Sequence, residues 1–275
     1  MADPTRPEQS VWSDVDRAGD TSAYCAYLDT VRSIEAATAY KRRSIELLRL
    51  EPGMRALDVG CGTGDESRAM AEIVGQQGEV LGIDFSAAMV AESRTRHAAL
   101  APRLAFEVGD VHALTLPDAH YDVARADRMF QHLASPSQAL AELVRVVRPG
   151  GRVAVSDPDW GTYVIDAPPT PAVRRYHEFA QAQARNPWIG RQLYGLFRAA
   201  GLADVEVSAH VAFFLDYGVL EKMGNLDAGF LSAVAAGQLT EAEVAEVKRE
   251  LLARQASRRF LGMLTLVTVV ATVPG

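Results

Sequence analysis

Only two cysteines, Cys25 and Cys61, occur among 275 residues, so no disulfide framework can be drawn. The first residues, Met1-Ala2-Asp3-Pro4-Thr5-Arg6-Pro7-Glu8, lack the apolar core of a secretory signal. No apolar run approaches a membrane span: the stretch from Met263 to Val273 is short and carries Thr265, Thr268 and Thr272. Positive charge is scarce as well. Lys and Arg number 28 against 35 Asp and Glu, and the net charge of −7 argues against a surface that tracks nucleic-acid phosphates. The basic runs Lys41-Arg42-Arg43 and Arg258-Arg259 are short and read as solvated helix faces. The histidines show no metal-ligand spacing, and no repeat or low-complexity tract is visible. These absences predict a cytoplasmic chain with no metal, no nucleic-acid partner and no membrane partner; a monomer or homodimer is expected. With 48% hydrophobic and 23% charged residues, the chain is long enough and apolar enough for a full core.

What is present is organised around residues 55–64, Arg55-Ala56-Leu57-Asp58-Val59-Gly60-Cys61-Gly62-Thr63-Gly64. The short apolar run behind Glu51-Pro52-Gly53 reads as a buried parallel strand. Three glycines at alternate positions follow its acidic end, and then a helix from Asp65 to Gly75 with Ala69, Met70, Ile73 and Val74 on one face. Strand, glycine loop and helix form a nucleotide-binding unit. A dinucleotide fingerprint, G-x-G-x-x-G/A, would need its third small residue at position 65, which is Asp. Carboxylates at Asp65 and Glu66 would also repel a pyrophosphate at the helix N-terminus. A phosphate-free, cationic zwitterion suffers no such penalty, which favours S-adenosylmethionine over NAD, FAD or ATP. Cys61 reads as a small packed loop residue.

Val80-Leu81-Gly82-Ile83-Asp84 is a second buried strand ending in an acid, about twenty residues past the loop, where a carboxylate can bind both ribose hydroxyls. A third strand, Leu104 to Val108, runs into Gly109-Asp110-Val111, suited to an adenine edge and face, with His112 bordering it. Together these motifs resemble those of class I S-adenosylmethionine-dependent methyltransferases, in particular the small-molecule branch of ubiquinone and menaquinone biosynthesis (the type 11 methyltransferase domain). The likeness is specific over residues 40 to 157 and topological elsewhere. It implies a cofactor site of Asp58, Gly60, Cys61, Gly62, Thr63, Gly64, Asp84, Phe85, Ser86, Met89, Gly109, Asp110, Val111, Asp127 and Arg128. It also implies an α/β, doubly wound, Rossmann-like sheet of seven strands in the order 3-2-1-4-5-7-6, the last strand antiparallel.

Along the chain, residues 1–50 read as a polar lead-in and a helical cap over 22–50, and 51–275 as the catalytic domain. Further expected elements are a helix from an N-cap at Ser86 to about Leu100, a strand over Tyr121–Ala126, a helix over Ser137–Val147 and a strand over Arg152–Ser156. Residues 158–186, punctuated by Pro158, Pro168, Pro169 and Pro171, read as a cap-like insertion. A helix over Trp188–Ala200, a strand over Val205–Phe214, a second insertion over 215–259 and a strand over Met263–Val273 complete the chain. Thr240 and Glu243 spell a capping box.

Methyl transfer from a sulfonium is an in-line displacement, so the protein mainly supplies alignment and exclusion of water. A general base is expected just after the fourth strand, where the resemblance points to His132; holding a helix end or loop is the alternative role for that residue. Asp127 and Arg128 could meet the methionine carboxylate or the acceptor, or pair with each other. Tyr24 and Tyr27, one turn apart on the cap, and Asp157, Asp159 and Trp160 after the fifth strand are the acceptor-side candidates. Packing or solvated turns would account for the same residues. The segment after strand four lacks the Asn/Asp-Pro-Pro-Tyr signature of amino-methylating nucleic-acid enzymes and the paired-glutamate loop of protein arginine methyltransferases. A small organic acceptor remains, methylated at O, N or C. A non-methylating enzyme such as a cyclase, or a cofactor-sensing protein, would carry the same motifs.

Overall fold

Alternating apolar strands and amphipathic helices produce a seven-stranded sheet in this computed structural model, which describes Asp16 and residues 22–275. The strands are β1 (Arg55–Val59), β2 (Glu79–Asp84), β3 (Leu104–Val108), β4 (Tyr121–Asp127), β5 (Val147–Ile165), β6 (Ala203–Phe214) and β7 (Gly262–Thr272). Their order is β3-β2-β1-β4-β5-β7-β6; β1 to β5 run parallel and β7 pairs antiparallel with both neighbours. Both the order and the reversed last strand are as expected. The helices are α1 (Ser22–Arg32), α2 (Glu35–Leu47), α3 (Asp65–Val74), α4 (Ala87–Arg96), α5 (Pro136–Val146), α6 (Pro171–Ala182), α7 (Ile189–Ala199), α8 (Tyr217–Gly224), α9 (Leu226–Ala235) and α10 (Glu241–Ala256).

Period-2 alternation divides the strand residues between two cores. Leu57, Val59, Ala124, Ala126, Val153, Val155 and Val269 face α5 and α7. Ala56, Val80, Phe106, Val123, Ala154 and Val270 face α2, α3 and α4. Helices on both faces make the sheet doubly wound. A third apolar cluster joins the far end of β5 (Tyr163, Ile165) to α6, α8, α9 and α10, with Tyr40 of α2 at its border. The two segments expected as insertions therefore pack against each other. No helix of the described residues is long and apolar enough to cross a membrane.

Several boundaries differ from expectation for identifiable reasons. The helical stretch over 22–50 is two helices, broken at Ser33–Ile34. α4 stops at Arg96 because the His97 ring turns back to the Thr63 carbonyl, 3.1 Å away, and a short 3-10 turn over Ala98–Leu100 follows. The fifth strand does not end at Ser156. Its antiparallel partner β7 carries it on to Ile165, with an irregularity between Asp159 and Val164. Beyond Ser156 it no longer borders β4, so Pro158, which has no N–H to donate, is tolerated as on an edge strand. The insertion after β5 thus shrinks to α6 and its flanks. The expected lead-in over residues 1–20 lies outside the described residues apart from Asp16.

α7 is pressed against β5 at Gly190, where an added Cβ would come within 2.9 Å of the Asp159 N and 3.0 Å of the Asp157 O. Gly190→Ala should therefore destabilise the protein by about 1–3 kcal/mol, because backbone cannot yield cheaply. Gly195, on the same helix, has nothing within 4 Å of such a Cβ. Gly195→Ala should stabilise by roughly 0.5–1 kcal/mol through helix propensity. Urea-denaturation midpoints of the two variants shifting in the same direction would contradict this packing.

Candidate functional site

The carboxyl ends of β1 to β4 bring the glycine loop, Asp84-Phe85-Ser86, Gly109-Asp110-Val111 and Asp127-Arg128 to one edge of the sheet, the position where doubly wound folds bind ligands. Gly60, Gly62 and Gly64 all have positive φ, at 73°, 54° and 78°. A Cβ at Gly64 would lie 2.5 Å from the Phe106 ring, and one at Gly62 would lie 3.2 Å from Leu28 of α1. The cap helix therefore rests directly on the loop. The loop N–H groups are largely engaged within the protein. Those of Gly60 and Cys61 donate to the Ile83 carbonyl, that of Gly62 to Asp84 and that of Gly64 to the Cys61 carbonyl. Such a loop offers few donors to a phosphate. The Cys61 side chain is buried, and burial pushes its thiol well above the ordinary value, as a packed rather than a nucleophilic residue requires. Thr63 is buried and its hydroxyl donates to Asp65 at 2.9 Å.

At the end of β2 the Asp84 carboxylate accepts from the Gly62 N–H at 2.8 Å and the Ser86 N–H at 3.0 Å. Its burial raises the carboxyl above its ordinary range, against those two bonds. Phe85 is 65% exposed, an apolar ring open to a ligand. Ser86 caps α4 by accepting from the Met89 N–H at 3.2 Å, and Met89 and Val111 are buried beneath. The Asp16 carboxylate also accepts from Ser86 Oγ and from the N–H of Ala87 and Ala88, so Asp16 is tied to this end of the site. Asp110 accepts from the His112 N–H at 2.9 Å and lies 2.7 Å from His112 Nδ1.

Three expected site residues are turned inward instead. Asp58 is 1% exposed; its oxygens take Ser67 Oγ at 2.7 Å and Arg125 Nη1 at 3.1 Å. Asp157 is fully buried and accepts from the N–H groups of Phe130 at 3.0 Å and Gln131 at 3.2 Å. Burial drives its carboxyl well above the usual carboxylate range. Asp159 is 4% exposed, paired with Arg191 Nε at 2.6 Å and accepting from the Gly161 N–H at 3.1 Å. An acid at the end of a strand looks alike in sequence whether it faces ligand or protein. In this structure Asp58 is held in an internal ion pair, Asp157 supports the backbone at Phe130 and Gln131, and Asp159 supports Gly161 and α7.

The turn after β4, by contrast, is built to hold side chains at the site. Arg128 sits at φ 50° with its N–H on the Ser156 carbonyl at 2.7 Å. Gln131 Nε2 donates to the Arg128 carbonyl, Gln131 Oε1 receives Trp160 Nε1 at 2.7 Å, and Asn186 Nδ2 donates to the carbonyls of Phe130 and Leu133. Trp160 is half-buried with its ring edge-on to Tyr163. Tyr24 and Tyr27 are half-buried on α1, and Tyr27 lies within electrostatic reach of Arg128. His132 closes the turn. Burial, and then the Arg128 charge, push its imidazole down to about 4, so it is neutral at physiological pH.

Sequence reasoning missed a buried charge cluster below this turn. Arg125 of β4 is 2% exposed and stands in register with Asp58 of β1. It donates to Asp58 and to Ser44 of α2 and lies 3.3 Å from Asp127 Oδ2. Burial opposes its charge, but Asp127, Asp58 and Glu66 more than offset this and raise its pKa. Lys41 of α2 lies 2.7 Å from Glu66 and 3.5 Å from Asp127. Burial pushes the Glu66 carboxyl up, yet Lys41 and Arg125 outweigh it and bring it down to about 2. The signal available in sequence was a lone arginine inside the apolar run Val123-Ala124-Arg125-Ala126.

Comparison with known proteins settles the family. The family profile described as a methyltransferase domain matches residues 50–201, more than half of the chain. The chain belongs to this methyltransferase family. It is a class I S-adenosylmethionine-dependent methyltransferase. It is 39% identical over 247 residues to a 37.1 kDa uncharacterised protein of transposon TN4556 from Streptomyces fradiae, covering 90% of this chain and 70% of that one. It is 33% identical over 141 residues to the 2-phytyl-1,4-naphtoquinone methyltransferase of Synechococcus elongatus, covering 50% of this chain and 58% of that enzyme. A Bacillus halodurans crystal structure, solved as a candidate methyltransferase, shares the fold at TM-score 0.60 with 14% identity, covering 86% and 99% of the two chains.

The lowered His132 value gives this methyltransferase a pH signature. Between pH 6.5 and about 4 the unfolded chain protonates His132 and the folded chain does not. Stability is therefore complete above 6.5 and falls as pH drops toward 4. His132→Gln should flatten that slope in urea unfolding followed from pH 7 to 4. Identical slopes for both proteins would place His132 in a solvated environment.

Proposed function

We propose that the chain transfers the methyl group of S-adenosylmethionine to a small organic metabolite, quinone-like or another product of secondary metabolism, at O, N or C. One observation carries the cofactor assignment. Asp127 Oδ1 and Arg128 Nε are buried polar atoms without a hydrogen-bond partner among the described residues, on consecutive positions beside the glycine loop. A bare acceptor next to a bare cationic donor complements an α-ammonium carboxylate, the amino-acid end of S-adenosylmethionine. In this reading Asp84 binds the ribose hydroxyls, Phe85 and Val111 flank the adenine, and Asp110 meets its edge. The engaged loop N–H groups and the carboxylates opening α3 suit a ligand without phosphate.

The cofactor supplies a methyl group already activated by a sulfonium. The protein's own part is to hold two reactants in line and keep water away. α1 and α2 cover the loop: Arg32 pairs with Asp65, Lys41 with Glu66, and Asp29 with Arg96. The acceptor lies toward β4 and β5, between α1, the turn carrying Arg128 and His132, and the cluster of α6 and α8 to α10 with Trp160 at its edge. His132, neutral and beside a fixed guanidinium, is placed to take a proton from an acidic acceptor. The acidic net charge and the likeness to a naphthoquinone methyltransferase support a small, uncharged or anionic acceptor rather than a nucleic acid.

Incubating the protein with S-adenosylmethionine and a panel of phenols, quinols and enols should yield products heavier by one CH2 unit in mass spectrometry. Calorimetry showing tight NAD binding and none of S-adenosylmethionine would end this reading. Asp84→Ala should weaken S-adenosylhomocysteine about 100-fold or more, since two hydrogen bonds to a charged acceptor are worth about 1.5–3 kcal/mol each. Asp110→Ala removes one such contact and should cost less. Equal losses would place the ribose elsewhere.

A further inference from the structure

Within the cofactor reading above, the structure assigns Arg125 as a positioning residue that withdraws Asp58 from the ligand and leaves Asp127 Oδ1 as the seat of the cofactor's ammonium group. The resemblance gave Asp58, at the end of the first strand, a place in the cofactor site. Here both Asp58 oxygens are engaged inside the protein: one takes Ser67 Oγ at 2.7 Å, the other Arg125 Nη1 at 3.1 Å, and the residue is 1% exposed. The partnership follows from register, since Asp58 and Arg125 are paired positions on β1 and β4, on the face that α2 and α3 cover. Ala154, the β5 neighbour of Arg125 in register, leaves room for the guanidinium.

The arrangement of charges points the same way. In this cluster the cations Lys41 and Arg125 hold the carboxylates of Asp58, Glu66 and Asp127, and the buried Arg128 lies within electrostatic reach of Glu66 and Asp127. With Arg128 counted the cations balance the carboxylates, so what is left open is hydrogen-bonding capacity, and its location is defined. Tyr40 Oη at 3.3 Å, Arg125 Nη2 at 3.3 Å and Lys41 Nζ at 3.5 Å all approach Asp127 Oδ2. Oδ1 is buried and receives no hydrogen bond among the described residues. A buried carboxylate oxygen left bare is costly, and an ammonium is the group that best repays it. Arg128, whose Nε is the neighbouring bare donor, forms no ion pair among the described residues and is left for the carboxylate of the same zwitterion. Arg125 thus acts through Asp127, holding Oδ2 so that Oδ1 is the oxygen left open.

The test compares two probes by calorimetry: S-adenosylhomocysteine, and 5′-methylthioadenosine, which has the same nucleoside and thioether but no amino-acid group. Asp127→Asn should weaken S-adenosylhomocysteine at least tenfold and leave 5′-methylthioadenosine within twofold. Asp58→Asn, nearly isosteric, should leave the ratio of the two affinities within twofold of wild type. The double variant Arg125→Met with Asp58→Asn leaves no lone charge where the pair stood. It should lower S-adenosylhomocysteine affinity a further three- to tenfold relative to Asp58→Asn alone, again without change for 5′-methylthioadenosine. A merely structural role would lower both ligands together. If Asp58→Asn cut the ratio tenfold, or Asp127→Asn left it unchanged, the ammonium would sit elsewhere and the proposal would fall. If the double variant does not fold, the two single substitutions still decide the ammonium site. Wild-type protein that bound neither probe would overturn the cofactor reading and this inference with it.

Discussion

A guanidinium enclosed between two carboxylates at the middle of the sheet is the constraint on which the rest of the site depends. Arg125 is 2% exposed, and its charge is tolerable only because Asp58 and Asp127 lie 3.1 and 3.3 Å away. Losing one partner of such a group typically costs about 3–5 kcal/mol, whereas a well-packed apolar replacement of the whole set can be neutral. The cluster is therefore weak as a source of stability and strong as a source of register. It requires β1 beside β4, α2 above them through Ser44 and Lys41, and α3 through Ser67 and Glu66. A strand slipped by one residue would leave a bare charge in the core. The interaction that aligns β1 with β4 also aligns the glycine loop at the end of one with the Arg128 turn at the end of the other.

The same electrostatics set the character of the loop. Helix N-termini attract anions, and α3 begins with two of its own, Asp65 and Glu66. Each is taken up by the cap: Arg32 of α1 reaches Asp65 and Lys41 of α2 reaches Glu66. A phosphate would meet an end already neutralised and a loop whose N–H groups are mostly engaged. The cap is thus more than a lid of apolar residues. It completes the charge balance of the helix that follows the loop, and Leu28 sits where a side chain at Gly62 would otherwise project.

Strand periodicity and the glycine stops made the doubly wound sheet and its order legible, because each strand's pattern reports a local period. Boundaries failed where a distant partner intervened. β5 runs past Pro158 because β7 pairs with it as far as Ile165, and α4 shortens because His97 bonds to Thr63. The residues placed at the loop, at Asp84 and at Asp127-Arg128 do gather at one edge. Asp58, Asp157 and Asp159 were less legible, since orientation depends on what lies across the sheet. The clue that separates them is the partner: Arg125 stands in register with Asp58, Asp157 serves the turn at Phe130 and Gln131, and Arg191 of α7 pairs with Asp159.

Those inward acids still bear on the reaction. In-line displacement tolerates little misplacement of donor and acceptor, and the protein gains most by arriving with its groups already fixed. The turn bearing Arg128 and His132 is held by the Asp157 carboxylate from below, by Asn186 on the carbonyls of Phe130 and Leu133, and by Gln131 between the Arg128 carbonyl and the Trp160 indole. Asp157 belongs to β5, which lies beside β4, and β4 is joined to β1 through Arg125 and Asp58. A continuous set of hydrogen bonds and ion pairs therefore runs from the glycine loop's own strand to the turn that faces the acceptor. The left-handed backbone at Arg128, with φ at 50°, is a conformation a non-glycine residue holds only when its surroundings enforce it. Here they do so from three sides, and the guanidinium that this strain positions forms no ion pair among the described residues.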